Sequence, residues 1–377
     1  MAKRMRETPH KGKKTGNRKK KIALIVTTVV LALVVAGGTA VYVLLHSNLF
    51  GGADMSEYGN SQAVQEKSVN ILIVGTDNDT SRPEYADHEL TDVIMVVNFN
   101  MEDGTAHILQ IPRDTYVGDD IPSGKINAVF SRGENKDKHI LNLVNYITTQ
   151  YQLPIDHYIT ITMQTFIDAV DAIGGIEMNV PYDVTIVDEG LEIKAGQQTL
   201  SGQQAQCFVR SRELYAEGDL GRVKAQRLFI AAGMEKITKL STNEMIKLVG
   251  LCYDKVETDL TGADILNYAQ KASKLDLSQV EMYMVPGEPA YSKAGLSIYS
   301  VHKEELANLL NEKFRPHTEA VPAEKLTCPE VANSSSWYDK NGNTIDDLLG
   351  GAKPGKDTIS GKESSSSAAS SSATSGE

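Results

Sequence analysis

The chain has 377 residues, a formal net charge of −11 and three cysteines, Cys207, Cys252 and Cys328. The cysteines lie far apart, with no CxxC pair or Cys/His cluster, which argues against a zinc site. The charge is segregated: residues 1–21 hold ten Lys or Arg and one acid, a net of +9, so the remainder carries −20.

That segregation points to two compartments. Between the basic tail (1–21) and the acidic remainder, residues 22–45 hold no charged side chain in 24 positions. A helix crosses the hydrocarbon core with about 20 apolar residues, and the basic flank places residue 1 in the cytoplasm and the rest outside the cell. A cleaved signal peptide has an apolar region of about 7–15 residues; this run is longer, and no clear small-x-small cleavage site follows it. The expectation is an uncleaved single-pass signal anchor in the cell membrane. The basic tail is too short for a nucleic-acid-binding domain, so no nucleic-acid partner is expected.

Residues 46–66 read as a polar linker and 67–317 as one globular domain. Val69–Val74, Val93–Phe99 and Ile108–Ile111 are short β-branched runs that predict strands. Ile140, Leu141, Val144, Ile147 and Tyr151 recur at helical spacing. Met163–Ile173 predicts another helix, stopped by Gly174-Gly175, with a strand at Ile176–Val180. Gln206–Ser211 is read as a strand, with Cys207 a small core residue, and a long helix is expected from about Leu220. Strands alternating with helices predict an α/β, α-β-α layered domain. Residues 318–377, ending in a Ser-rich stretch, are expected to be disordered.

Charged residues fall where strands should end. Asp77 closes the first strand, Asp92 opens the second, and Arg113-Asp114 close the third; loops at strand ends build sites in open α/β sheets. On a strand, Arg210 and Arg212 share a face. On the following helix Asp219, Arg222 and Gln226 share one, at i, i+3 and i+7. Arginine forks match phosphate oxygens, and paired aspartates suit Mg²⁺. A pyrophosphate site with a metal is one reading. The other is structural: Arg210 and Arg212 pairing with Glu213 and Glu217 at the surface, Asp219 as a helix N-cap, Asp77 and Asp92 as turn residues.

The motifs Gly75-Thr76-Asp77, Thr91-Asp92, Ile111-Pro112-Arg113-Asp114, Lys125-Ile126-Asn127, Val170–Ile176, Gly202-Gln203-Gln204-Ala205, Val209-Arg210-Ser211-Arg212 and Gly218–Arg222 with Gln226 stand in one order. Together they resemble the LytR–CpsA–Psr family. The resemblance implies an α-β-α sandwich with a groove for a lipid tail. It implies an extracellular ligase that moves a glycopolymer, such as teichoic acid or capsule, from a polyprenyl-pyrophosphate carrier to peptidoglycan. The bond formed is a phosphodiester, commonly to the muramic acid C6 hydroxyl. By the same resemblance, Asp77 and Asp92 are associated with Mg²⁺. Arg113, Arg210, Arg212, Asp219, Arg222 and Gln226 line the head group, with Lys125 a further cation to which contacts can shift; Asp219 is a candidate to take the hydroxyl proton, or only orients Arg222. Three positions depart from the pattern: Asp79, Leu90 and Ala225 stand where arginines are usual, with Arg82, Lys125 and Arg227 nearby. A pyrophosphatase acting on the same donor and a non-catalytic envelope regulator remain alternatives.

Overall fold

The computed structural model describes residues 54–77, 90–186, 191–211, 219–334 and 342–351. The expected basic tail and anchor lie outside these residues. Among the described residues no helix is long and apolar enough to cross a membrane.

A short helix α1 (Gln62–Gln65) leads into β1 (Ser68–Asp77), β2 (Leu90–Asn100) and β3 (Thr105–Gln110). These are the three β-branched runs seen in the sequence. After β3 come α2 (Val129–Arg132), α3 (Ile140–Gln150), β4 (His157–Thr162) and α4 (Met163–Ala172). Gly174 and Gly175 then take φ of +77° and +82°, a backbone that ends the helix because only glycine adopts it without strain. Four short strands follow: β5 (Ile176–Val180), β6 (Val184–Ile186), β7 (Leu191–Ile193) and β8 (Gly196–Leu200). The chain continues through α5 (Gly202–Arg210), α6 (Asp219–Lys239), α7 (Thr242–Cys252), β9 (Val256–Thr258), α8 (Gly262–Ala272) and β10 (Val280–Met284). It closes with β11 (Gly287–Tyr291), β12 (Ser297–Val301), α9 (Lys303–Leu309), β13 (Asn343–Thr344) and α10 (Ile345–Gly351).

Seven strands form the central mixed sheet, in the order β13-β10-β3-β2-β1-β4-β9. β1 runs parallel to β4, and β3 to β10, while β2 runs antiparallel between β1 and β3. The carboxyl ends of β1, β3, β4 and β10 therefore share one edge with the start of β2. Alternation along β1 and β2 separates two cores. Leu72, Val74, Ile94 and Val96 face Ile140, Leu143, Ile147, Leu306, Leu310 and Phe314 on one side. Val69, Ile71 and Phe99 face Ala231 of α6 and Ile345 of α10 on the other. Helices thus cover both faces of the sheet, as the α-β-α pattern anticipates.

Two expectations are corrected. Gln206–Ser211 is not a strand, because α5 covers Gly202–Arg210. Ser201 caps it in a capping box, its Oγ accepting from Gln204 N (3.3 Å) while Gln204 Oε1 accepts from Ser201 N (3.0 Å). Gly202 is required by close packing: a Cβ there would meet Ile167 O at 2.4 Å. The domain also does not end at residue 317. Leu326 and Cys328 are buried in the first core. β13 adds an edge strand to β10, and Ile345 is fully buried.

The start of the described chain is fastened by Asp156, 2% exposed. Its carboxylate accepts from Asn60 N (2.5 Å), Asn60 Nδ2 (3.1 Å), Gln65 Nε2 (3.2 Å) and Asn70 N (2.8 Å). Next to it, His157 Nδ1 lies 2.6 Å from Asp259 Oδ2. Burial alone would depress this imidazole, but the bond to Asp259 and the charges of Asp156 and Asp264 outweigh it and raise its pKa above 6.5. A raised folded-state pKa gives stability that is complete below the unfolded value of 6.5 and is lost as pH climbs through the folded value. Asp259→Asn should therefore lower the urea midpoint more at pH 6 than at pH 9. An equal loss at both would show that the ring is not charged in the fold.

Candidate active site

The shared strand edge holds the charged residues. The β1–β2 ladder slips at Gly75/Thr76: Gly75 pairs with Val93, Thr76 with Thr91 and Asp77 with Leu90. Asp92 is the extra residue of this β-bulge, a device that re-aims a side chain near sites. Its Oδ1 accepts from Arg113 Nη1 at 2.6 Å and lies 3.5 Å from Arg222 Nη1. Arg113 comes from the loop after β3, and Arg222 from the first turn of α6, where it is 3% exposed. Two guanidinium groups share this one carboxylate oxygen.

The loop itself is locally built. Thr115 N and Oγ1 both donate to Pro112 O (3.0 and 2.6 Å), making a tight turn around Arg113. Asn127 N donates to Arg113 O at 3.2 Å, and Thr91 Oγ1 lies 3.5 Å from Asn127 O. Lys125 Nζ reaches Asp114 Oδ2 at 3.1 Å, and Arg113 Nε is 3.8 Å from Asp114 Oδ1. Asp114 thus aligns two cations. Its role was missed in the sequence, although its place beside Arg113 was the available signal.

The structure joins Asp92, Arg113 and Arg222 directly, with Lys125 attached through Asp114. Gln226 is buried, its Nε2 3.4 Å from Val209 O, which ties α6 to the end of α5. Arg210 is the half-exposed last residue of α5, where a cation suits the helix dipole. Arg210 thus lies on a helix and not on the expected strand. Asp77 ends β1 and Asp219 begins α6, but their side chains lie outside the described set. Arg212, Asp79 and Arg82 lie outside the described residues altogether.

One departure from the family pattern has a local reason. Ala225 is fully buried in a third core with Phe208 and Phe229. Arg227, two positions on, donates from Nε to Gln110 Oε1 (2.6 Å) and from Nη1 to Asn343 Oδ1 (2.9 Å).

The LytR_cpsA_psr family model matches residues 46–315. The chain is 29% identical over 238 residues to the polyisoprenyl-teichoic acid–peptidoglycan teichoic acid transferase TagV of Bacillus subtilis (strain 168), covering 60% of this chain and 59% of that protein. It is 30% identical over 309 residues to the TagU transferase of the same description from Oceanobacillus iheyensis, covering 76% of this chain and 90% of that one. The crystal structure of B. subtilis TagV superposes with a TM-score of 0.56 at 26% identity, covering 67% of this chain and 99% of that chain.

Proposed function

Because the chain belongs to the LytR_cpsA_psr family, we propose that it is a phosphotransferase moving a glycopolymer from a polyprenyl-pyrophosphate carrier onto peptidoglycan. In this reading the muramic acid C6 hydroxyl receives the glycopolymer phosphate. The observation that carries it is the convergence of Arg113 and Arg222 on Asp92 at the carboxyl edge of the sheet. The transferase names of the relatives support the same chemistry.

The residues suit the task. Arg113, Arg222 and Lys125 hold phosphate oxygens, with Arg210, Arg212 and Gln226 extending that ring. Negative charge builds on the leaving polyprenyl phosphate, where preorganised guanidinium groups stabilise it most. The acceptor hydroxyl attacks the sugar-side phosphorus and the phosphoanhydride bond breaks; Asp219 is the candidate for its proton.

The residues also fit a divalent cation. Among the described residues both side-chain contacts to Asp92 fall on Oδ1, and Asp77 ends the neighbouring strand. Among the described residues no three acidic, His or Cys side chains are grouped to hold a metal. Mg²⁺ commonly uses one or two carboxylates and takes the rest of its shell from phosphate and water. Held by Asp77 and Asp92, it would supply further neutralisation of the pyrophosphate.

The apolar run at 22–45 would place the domain on the outer leaflet, where a lipid-linked donor resides, and raise the effective concentration of each for the other.

The test uses the full chain in detergent with a polyprenyl-pyrophosphate-linked glycan, peptidoglycan oligomers and Mg²⁺. Mass spectrometry should find a phosphodiester conjugate. Arg210→Ala should reduce it about 10²–10³-fold while shifting the thermal midpoint by no more than about 3 °C. Released glycan phosphate without conjugate would replace the transferase reading with a pyrophosphatase. Full activity in Arg210→Ala would remove that residue from the site.

A further inference from the structure

Arg222, Asp92, Arg113, Asp114 and Lys125 form a row in which cations and carboxylates alternate. Arg222 and Arg113 share Asp92 Oδ1 (3.5 and 2.6 Å), Arg113 Nε lies 3.8 Å from Asp114 Oδ1, and Lys125 Nζ lies 3.1 Å from Asp114 Oδ2. The phosphate-binding reading uses the three cations and gives Asp114 no part of its own. A carboxylate beside an anion site needs a reason, because by Coulomb's law alone it weakens anion binding.

The backbone around Asp114 is held from two sides. Its carbonyl accepts from Tyr299 N (2.8 Å), and Tyr116 N donates to Tyr299 O (2.8 Å), which ties the loop to the β11–β12 hairpin. On the other side residues 115–117 pair with residues 124–126. Ile126 N donates to Thr115 O (2.8 Å), Val117 N donates to Gly124 O (2.9 Å), and Tyr116 bridges Lys125 in antiparallel register. Thr115 and Ile126 are fully buried. Asp114 and Lys125 therefore rise from one short, anchored ribbon, and their ion pair closes within it. Their side chains are 23% and 24% exposed, so the pair stays open to a ligand.

Lysine carries its charge on a flexible four-carbon stem that ends in three donors. An unrestrained stem samples many rotamers and loses that freedom when it binds. Held by Asp114, the ammonium is already placed. One of its donors can stay on the carboxylate while another meets a phosphate oxygen.

We propose that Asp114 is a positioning residue that holds Lys125 for the donor's pyrophosphate. This rests on the phosphate-binding part of the transferase reading. The sign of one substitution separates it from the plain electrostatic view. If Asp114 were only a negative charge near the site, Asp114→Asn would tighten anion binding. A positioning role makes the same change weaken it.

The experiment titrates methylenediphosphonate, a diphosphate that cannot be hydrolysed, into the full chain in detergent at fixed Mg²⁺. Heats are measured well below each variant's thermal midpoint, so that lost stability alone leaves affinity unchanged. Asp114→Asn should weaken binding about tenfold, equivalent to about 1.4 kcal/mol. Asp114→Glu, which keeps the carboxylate, should recover part of that loss. Adding Asp114→Asn to Lys125→Ala should cost less than about twofold more than Lys125→Ala alone, because residues that act through one another are not additive. In transfer kinetics Asp114→Asn should raise the donor KM by a similar factor to the loss of affinity and lower kcat less. Unchanged or tighter binding in Asp114→Asn would overturn the proposal, as would full additivity with Lys125→Ala or a wild type that does not bind the diphosphonate. If the binding pattern holds but no conjugate forms from a glycan donor, the role of Asp114 stands and the transferase reading fails.

Discussion

Asp92→Ala is expected to remove transfer activity and about 2–4 kcal/mol of stability together, because one carboxylate serves both the site and the fold. Its Oδ1 is the shared counter-charge of Arg113 and of Arg222, the latter almost fully buried. Truncation removes that counter-charge while the guanidinium groups stay desolvated, which is the costly way to break a partly buried ion pair. Asp92→Asn keeps the shape and one acceptor oxygen, so its stability loss should be smaller, about 1–2 kcal/mol. Its activity should fall as far as that of the alanine variant, by about 10²-fold or more, since the charge that aligns the arginines is gone. Urea midpoints and conjugate yield from both variants separate the two roles. An Asp92→Asn chain with near-normal transfer would show that the carboxylate only props up the bulge.

Much of this architecture was legible in the sequence because the signals were periodic. The β1–β3 runs are rich in Val and Ile, α3 repeats at helical spacing, and Gly174-Gly175 marks a stop that only positive φ satisfies. Gln206–Ser211 reads as a strand in the sequence, yet the segment is helical through Arg210. The stronger signal was Ser201-x-x-Gln204, a capping box that starts a helix and that local hydrogen bonds satisfy. At the site, types and order were visible but convergence was not. Arg113 and Arg222 are over a hundred positions apart, and no local rule places them on one oxygen. The β-bulge that exposes Asp92 depends on a ladder slip with no mark in composition. Ala225 likewise looked like a lost cation, whereas its position in the packed α5–α6 interface leaves no room for one.

The C-terminal boundary leads to the other large expected effect. A chain ending at residue 317 should be far less stable than one ending at 351. Three of the apolar side chains in residues 318–351 are deeply placed: Leu326, Cys328 and Ile345 are all at or below 1% exposure. Each large apolar side chain withdrawn from water is worth about 1.5–3 kcal/mol. Removing β13 also uncovers the edge of β10 and takes Asn343 from the buried guanidinium of Arg227. Ser300 Oγ loses its bonds from Val331 N and Ala332 N (3.0 and 2.9 Å). The combined loss is on the order of 5 kcal/mol or more, a large share of the stability of an ordinary domain. Arg227 sits on the same helix as Arg222, five residues on, and its bonds to Gln110 and Asn343 fix α6 against β3 and β13. Loosening that fastening should move Arg222 away from Asp92, so activity should fall even at temperatures where the shortened chain stays folded. Ending the chain at 351 should preserve both the urea midpoint and the transfer rate. Equal midpoints for the two lengths would mean that the last strand and helix are ornaments on a sheet complete without them.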